Sequence, residues 1–126
     1  MRPKSLAEVA ELTLQGSSFD MSLKNFLDGF YAHPTVEALS KEPARLCSVI
    51  PEPASVQDAY LAAVAESLGN GTGIKTPAWA YAENRKLKRP WFALNYSSMR
   101  ALLLWESPPA FRSRNLFVSE NALSRV

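Results

Sequence analysis

Asp20-Met21-Ser22-Leu23-Lys24-Asn25-Phe26-Leu27-Asp28-Gly29-Phe30 places Leu23, Phe26, Leu27 and Phe30 at the i, i+3, i+4, i+7 spacing of one helical face. Asp20 is a good N-cap residue, so a helix is expected to begin near it and to bury that stripe in a core. Upstream, Ser5-Leu6-Ala7-Glu8 fits the capping box, in which the hydroxyl accepts from a backbone N–H three residues on and the carboxylate reaches back. A first helix is predicted from there, with Leu6, Val9, Ala10 and Leu12 inward, ending at Gly16.

Downstream, His33-Pro34 breaks the second helix, and a short third one is expected over Thr35 to Lys41 before Pro43 stops it. Pro51 and Pro53 make Leu46 to Ala54 a surface connector. Ser55 is read as the N-cap of a fourth helix, with Asp58 at its third position. Tyr60, Leu61, Val64 and Leu68 lead to a stop at Gly69-Asn70-Gly71-Thr72-Gly73. That glycine cluster is not a phosphate loop: Gly73-Ile74-Lys75-Thr76 runs straight into Pro77, and a helix precedes it where a strand is needed. Thr76-Pro77 should cap a short helix through Tyr81. An extended piece is expected around Phe92 to Asn95. Tyr96 to Trp105 reads as the most buried helix, because Met99 and Ala101 to Trp105 leave little polar circumference. Ser119 should cap a last helical turn through Arg125. With period-two runs missing, the expectation is all-α: one compact domain, 1–126, of about five or six helices with proline-rich connections.

The 126 residues, 47% hydrophobic and 21% charged, have the composition of a single soluble domain with enough apolar material for one core. No run of about eighteen apolar residues exists, and no signal-peptide core opens the chain, so a cytoplasmic protein without a membrane span is expected. One cysteine, Cys47, and one histidine, His33, provide neither an internal disulfide nor a zinc cluster. No credible Ser/His/Asp set exists, Cys47 has no evident base, and Asp20, Asp28, Glu37 and Glu106 fall on different elements. The reading therefore leans away from an enzyme, implies no metal and no cofactor, and leaves an assembled carboxylate site as the weakest alternative.

The net charge of +2 hides an asymmetry: Met1 to Ile74 holds five Lys/Arg against nine Asp/Glu, whereas Lys75 to Val126 holds nine against three. The basic third concentrates Arg85, Lys86, Lys88 and Arg89 just before Pro90-Trp91-Phe92. Two roles follow from that mixture. Trp91, Arg112, Arg114, Asn115 and Phe117 are candidates for a protein interface, where Trp and Arg are frequent anchors. Alternatively the Arg85–Arg89 cluster, Lys86, Lys88 and Arg89 foremost, meets nucleic-acid phosphates with Arg112 and Arg114. A structural reading competes with both: Glu106, at an apolar helix end, needs a cation, and Arg112 or Arg114 could clasp it.

Several segments carry a resemblance: Ser5 to Ala10, Phe19-Asp20 with Phe26-Leu27-Asp28 and Phe30-Tyr31, Pro77-Ala78-Trp79, and above all Glu106-Ser107-Pro108-Pro109-Ala110-Phe111-Arg112-Ser113-Arg114-Asn115-Leu116-Phe117-Val118-Ser119 with Ala122-Leu123-Ser124-Arg125. In these the chain resembles a group of small, uncharacterised bacterial proteins. The last segment is also similar to the tails of bacterial helix-turn-helix proteins associated with toxin–antitoxin operons. The resemblance implies a non-catalytic, antitoxin-like or accessory partner binder, and assigns no site residue. Oligomeric state is not set by the sequence.

Overall fold

A computed structural model describes residues 2–94 and 97–124. Six α-helices account for about half of it: α1 (Leu6–Leu14), α2 (Phe19–Ala32), α3 (Glu37–Ser40), α4 (Ala54–Thr72), α5 (Ser97–Glu106) and α6 (Pro109–Arg112). Two 3-10 turns, Ala78–Tyr81 and Glu83–Arg85, and two short strands, β1 (Trp91–Phe92) and β2 (Leu116–Phe117), complete the described elements. The expected all-α domain of five or six helices is therefore the observed one, with 55% helix and 3% strand among the described residues.

The amino-terminal half follows its local signals closely. Ser5 Oγ accepts from Glu8 N at 3.2 Å, while Glu8 Oε1 accepts from Lys4 N at 2.8 Å, one residue upstream of the reach-back that the capping box predicts. The cap of α2 is Ser18, which accepts from Met21 N, and not Asp20, which lies inside the first turn and favours the helix dipole from there. Leu23, Phe26, Leu27 and Phe30 are all buried, as their spacing predicts, and α1 packs against α2. In α3, Thr35 Oγ1 accepts from Ala38 N just before the helix begins.

α4 is the axis of the fold, touching α6, both 3-10 turns and β2. It starts at Ala54, one residue before the expected cap, and Glu52 accepts from Ser55 N. Asp58 does not serve the first turn. It turns inward, and its carboxylate takes the backbone N–H groups of Leu46 and Cys47 at 2.8 and 3.1 Å, tying the proline-rich connector to the helix. α4 also runs past its predicted stop: Gly69, Asn70 and Gly71 are helical, and only Gly73, at φ 75°, ends it in the left-handed region that glycine tolerates. Gly69 is required for another reason. A Cβ there would stand 2.7 Å from Ile74 O, where the returning chain crosses the helix.

The carboxy-terminal third departs most from expectation. Pro77, not Thr76, precedes the first 3-10 turn, and no side chain caps it. β1 and β2 pair in parallel, Trp91 with Leu116 and Phe92 with Phe117, so the predicted extended piece has a partner. Ser119 Oγ accepts from Asn121 N in a run of turns rather than a helix. Asn95, Tyr96 and Arg125, on which part of the expected strand, the fifth helix and the last turn fell, lie outside the described residues. Among the described helices none is long and apolar enough to cross a membrane.

Gly69→Ala should destabilise the protein by about 1–3 kcal/mol through overpacking. Gly71→Ala, exposed with nothing within 4 Å of its added carbon, should stabilise it by about 0.5–1 kcal/mol in urea unfolding. Equal effects at the two positions would contradict the close approach at Gly69.

Candidate functional site

Two arginines of the basic third, Arg85 and Arg114, are inside. Arg85 is 0% exposed: it donates to Pro43 O at 2.6 Å and Asp58 O at 3.3 Å, lies 3.4 Å from Glu42 and 3.8 Å from Asp58 carboxylate oxygens, and covers the Trp79 ring at 5.0 Å. Burial pushes its guanidinium below the usual range, and the two carboxylates oppose that push. Arg114 is 1% exposed and donates to Glu66 Oε1 and Ala110 O, each at 2.6 Å, and to Ala80 O at 2.7 Å, with Tyr81 beneath it. Each arginine therefore joins carboxylate and carbonyl groups from distant segments, the use for which a planar fork of donors is suited.

These contacts correct the expected clasp. Arg114 pairs with Glu66 on α4, not with Glu106. Arg112, exposed, donates to Ser107 O at 2.7 Å and Trp105 O at 3.5 Å, capping the carbonyl end of α5. Nor does the proposed interface set survive as a surface. Asn115, at φ 63°, donates from Nδ2 to Leu87 O at 2.7 Å. Phe117 is buried and stacks on Phe92 with ring centroids 5.0 Å apart. Trp91 is half-buried, its backbone N–H donating to Asn115 O. Of the five, only Arg112 points a charge outward. Lys86, Lys88 and Arg89 are exposed as expected, Lys86 lying 3.4 Å from Glu83.

The surface that sequence reasoning missed is α5 itself. Predicted as the most buried helix, it buries Leu103 and leaves Leu102, Leu104 and Trp105 outside, with Trp105 84% exposed. Of the strands and helices, β2 is its main contact. Ser107 Oγ both donates to Val118 O and accepts from Val118 N, fixing where α5 ends against the residue after β2. Arg100, its guanidinium 5.2 Å from the Phe92 ring centre, and Arg112 border this face with positive charge. Three large apolar side chains of one helix are thus left in water. The missed signal was available: an apolar run with no polar face has two solutions, a central position or an unpartnered edge.

A second feature lies between α2 and α4. A hollow of about 470 Å3 is lined by Phe19, Leu23, Leu27, Val56, Tyr60 and Trp91, with Asp20 and Lys24 at its exposed polar side. Tyr60 meets Phe19 and Phe111 edge to face, and burial, helped by Asp20, pushes its hydroxyl up to about 12. No group of three His, Cys, Asp or Glu that could hold a metal occurs among the described residues. Cys47 is exposed and accepts from Arg45 at 3.1 Å. In comparisons with family models, curated proteins and solved structures, the chain matches none.

Arg114→Met should cost roughly 3 kcal/mol or more, because it leaves Glu66 and two carbonyls unanswered. Arg112→Met should cost about 1 kcal/mol, and Glu106→Gln should stay within about 0.5 kcal/mol. The reverse order in urea unfolding would restore the Glu106 clasp. Tyr60 has a pH signature. Its folded pKa lies above the ordinary 10.0, so the unfolded chain loses the phenolic proton first. That contribution is whole below pH 10 and is lost as pH climbs toward about 12. Tyr60→Phe should flatten the decline of stability across that window; an unchanged slope would contradict the burial of the hydroxyl.

Proposed function

We propose that the chain is a non-catalytic protein-interaction module, an antitoxin-like or accessory factor, that takes a protein partner on the outer face of α5. The observation that carries this reading is Trp105, 84% exposed beside Leu102 at 44% and Leu104 at 50%. Indole and leucine side chains in water forgo about 25 cal/mol for each Å2 that a partner would cover. Aromatic anchors ringed by polar groups are also where interface energy concentrates. The basic border of Arg100 and Arg112 selects a partner that offers an apolar recess flanked by carboxylates. The resemblance of the Glu106 to Ser119 segment to operon-linked tails agrees with such a role.

Nucleic acid is the weaker reading, because Arg85 and Arg114, two of the cations it needs, are enclosed by the fold. What remains, Lys86, Lys88 and Arg89 as a short exposed run with Arg112 apart from it, is a set of the kind that retains polyanions only at low salt.

The test is capture from a nuclease-treated lysate of the native host by the tagged protein and by its Trp105→Ala variant, at moderate and high salt. A stoichiometric protein that persists at high salt with the parent and falls at least tenfold with Trp105→Ala is the expected result. Equal capture by both would move the interface off α5, and nucleic acid retained at low salt alone would replace the reading with phosphate contact.

A further inference from the structure

The hollow between α2 and α4 carries polar groups that the protein itself leaves unanswered. Val56, Gln57 and Tyr60 all line it, and spacings of three and four residues put them on one face of α4. The backbone N–H of Gln57 donates to Pro53 O at 3.1 Å, yet its side-chain Oε1 is buried with no hydrogen-bond partner. A buried oxygen without a donor costs free energy, and folded proteins keep few of them. The others among the described residues are the Nε atoms of Arg85 and Arg114, whose head groups bond through their remaining nitrogens. The Gln57 side chain makes no such offsetting bond. The Tyr60 hydroxyl, three residues on, also has no hydrogen-bond partner among the described residues, and Asp20, at the exposed side of the hollow, is near enough to act on it. Held in its protonated form at neutral pH, that hydroxyl is a donor.

An acceptor and a donor one helical turn apart, set in an apolar wall, specify the chemistry of a guest. At about 470 Å3 the hollow falls within the roughly 300–1,000 Å3 typical of small-molecule sites, which are mainly apolar with a few placed polar groups. Leu23 and Leu27 floor it and Trp91 adds a half-buried aromatic wall. Asp20 and Lys24, one turn apart on α2, cancel in charge, so neither an anion nor a cation is favoured at the exposed side. The last torsion of a glutamine side chain is broad, which lets the Gln57 carboxamide turn to meet what enters. We infer that this hollow binds an uncharged, ring-containing small molecule with an amide-type edge. The N–H of that edge donates to Gln57 Oε1, its carbonyl accepts from the Tyr60 hydroxyl, and its rings lie against Leu23, Leu27 and Trp91. The site is separate from the outer face of α5 and does not depend on a protein partner there.

The experiment is a titration of the isotope-labelled full chain with carbostyril, a bicyclic aromatic lactam with adjacent N–H and C=O groups, followed by two-dimensional NMR. Its N-methyl derivative, in which a methyl group replaces the donated hydrogen, is the comparison. Carbostyril should shift the amide signals of Leu23, Gln57 and Tyr60 saturably, with a dissociation constant of about 0.1–1 mM, as suits a fragment of its size. The N-methyl derivative should bind about tenfold more weakly, because it leaves Gln57 Oε1 without a donor. Gln57→Leu exchanges a stranded polar group for an apolar one, should fold by circular dichroism, and should erase that tenfold difference. Tyr60→Phe should weaken carbostyril several-fold. No saturable shift with carbostyril overturns the inference, as do shifts confined to α5, since the hollow would then hold no guest. Equal affinity of the parent for the two probes overturns it as well, and so does a Gln57→Leu variant that still prefers carbostyril tenfold. The two probes on the parent alone decide where the guest sits and whether its donor matters, so the outcome does not hang on the variants.

Discussion

The carboxy-terminal third is held to the rest of the molecule by two buried guanidinium groups. A charged arginine is tolerated inside a protein only where carboxylates and carbonyls converge on it, and removing one partner strands the others. Arg85 meets this condition with Pro43, Glu42 and Asp58, Arg114 with Glu66, Ala80 and Ala110. Both sets include α4, which is why the segments after Gly73, poor in regular structure, still have a fixed course. In each head group the Nε atom is buried without a hydrogen-bond partner, a cost that the remaining contacts must offset.

Fixing that course has a consequence for α5. Arg114 sets the path into β2, β2 pairs with β1, and Ser107 ties the end of α5 to Val118. α5 is thus anchored at its C-terminal end, over Leu103 and through Arg100 on the Phe92 ring, while Leu102, Leu104 and Trp105 stay exposed. The same basic residues that seemed available to a partner create the scaffold that presents the apolar helix.

The elements legible in the sequence are those whose causes are local. The Ser5 and Glu8 pair, the stripe from Leu23 to Phe30, and the break at His33-Pro34 each act within a few residues, and α1 and α2 sit where those signals put them. Gly69 to Gly71 have the composition of a helix stop, yet Gly69 answers to Ile74 O crossing the helix. Arg85 and Arg114 misled because their partners lie up to 43 and 48 residues away, beyond any local pattern. Asp58 did so too, trading a helix cap for the backbone N–H groups of Leu46 and Cys47. α5 was recognised as a helix but placed on the wrong side of the protein–water boundary, since its composition alone does not say whether the fold supplies a cover.

Hydroxyl-radical footprinting of the intact chain at submicromolar concentration reads the central claim at its source. Compared tryptophan with tryptophan, oxidation should be fast at Trp105 and should spare Trp79, whose indole N–H is buried against Leu39 O. A Trp105 as protected as Trp79 in the isolated chain would mean that α5 is a core helix after all, and the assignment of its outer face to binding would fail.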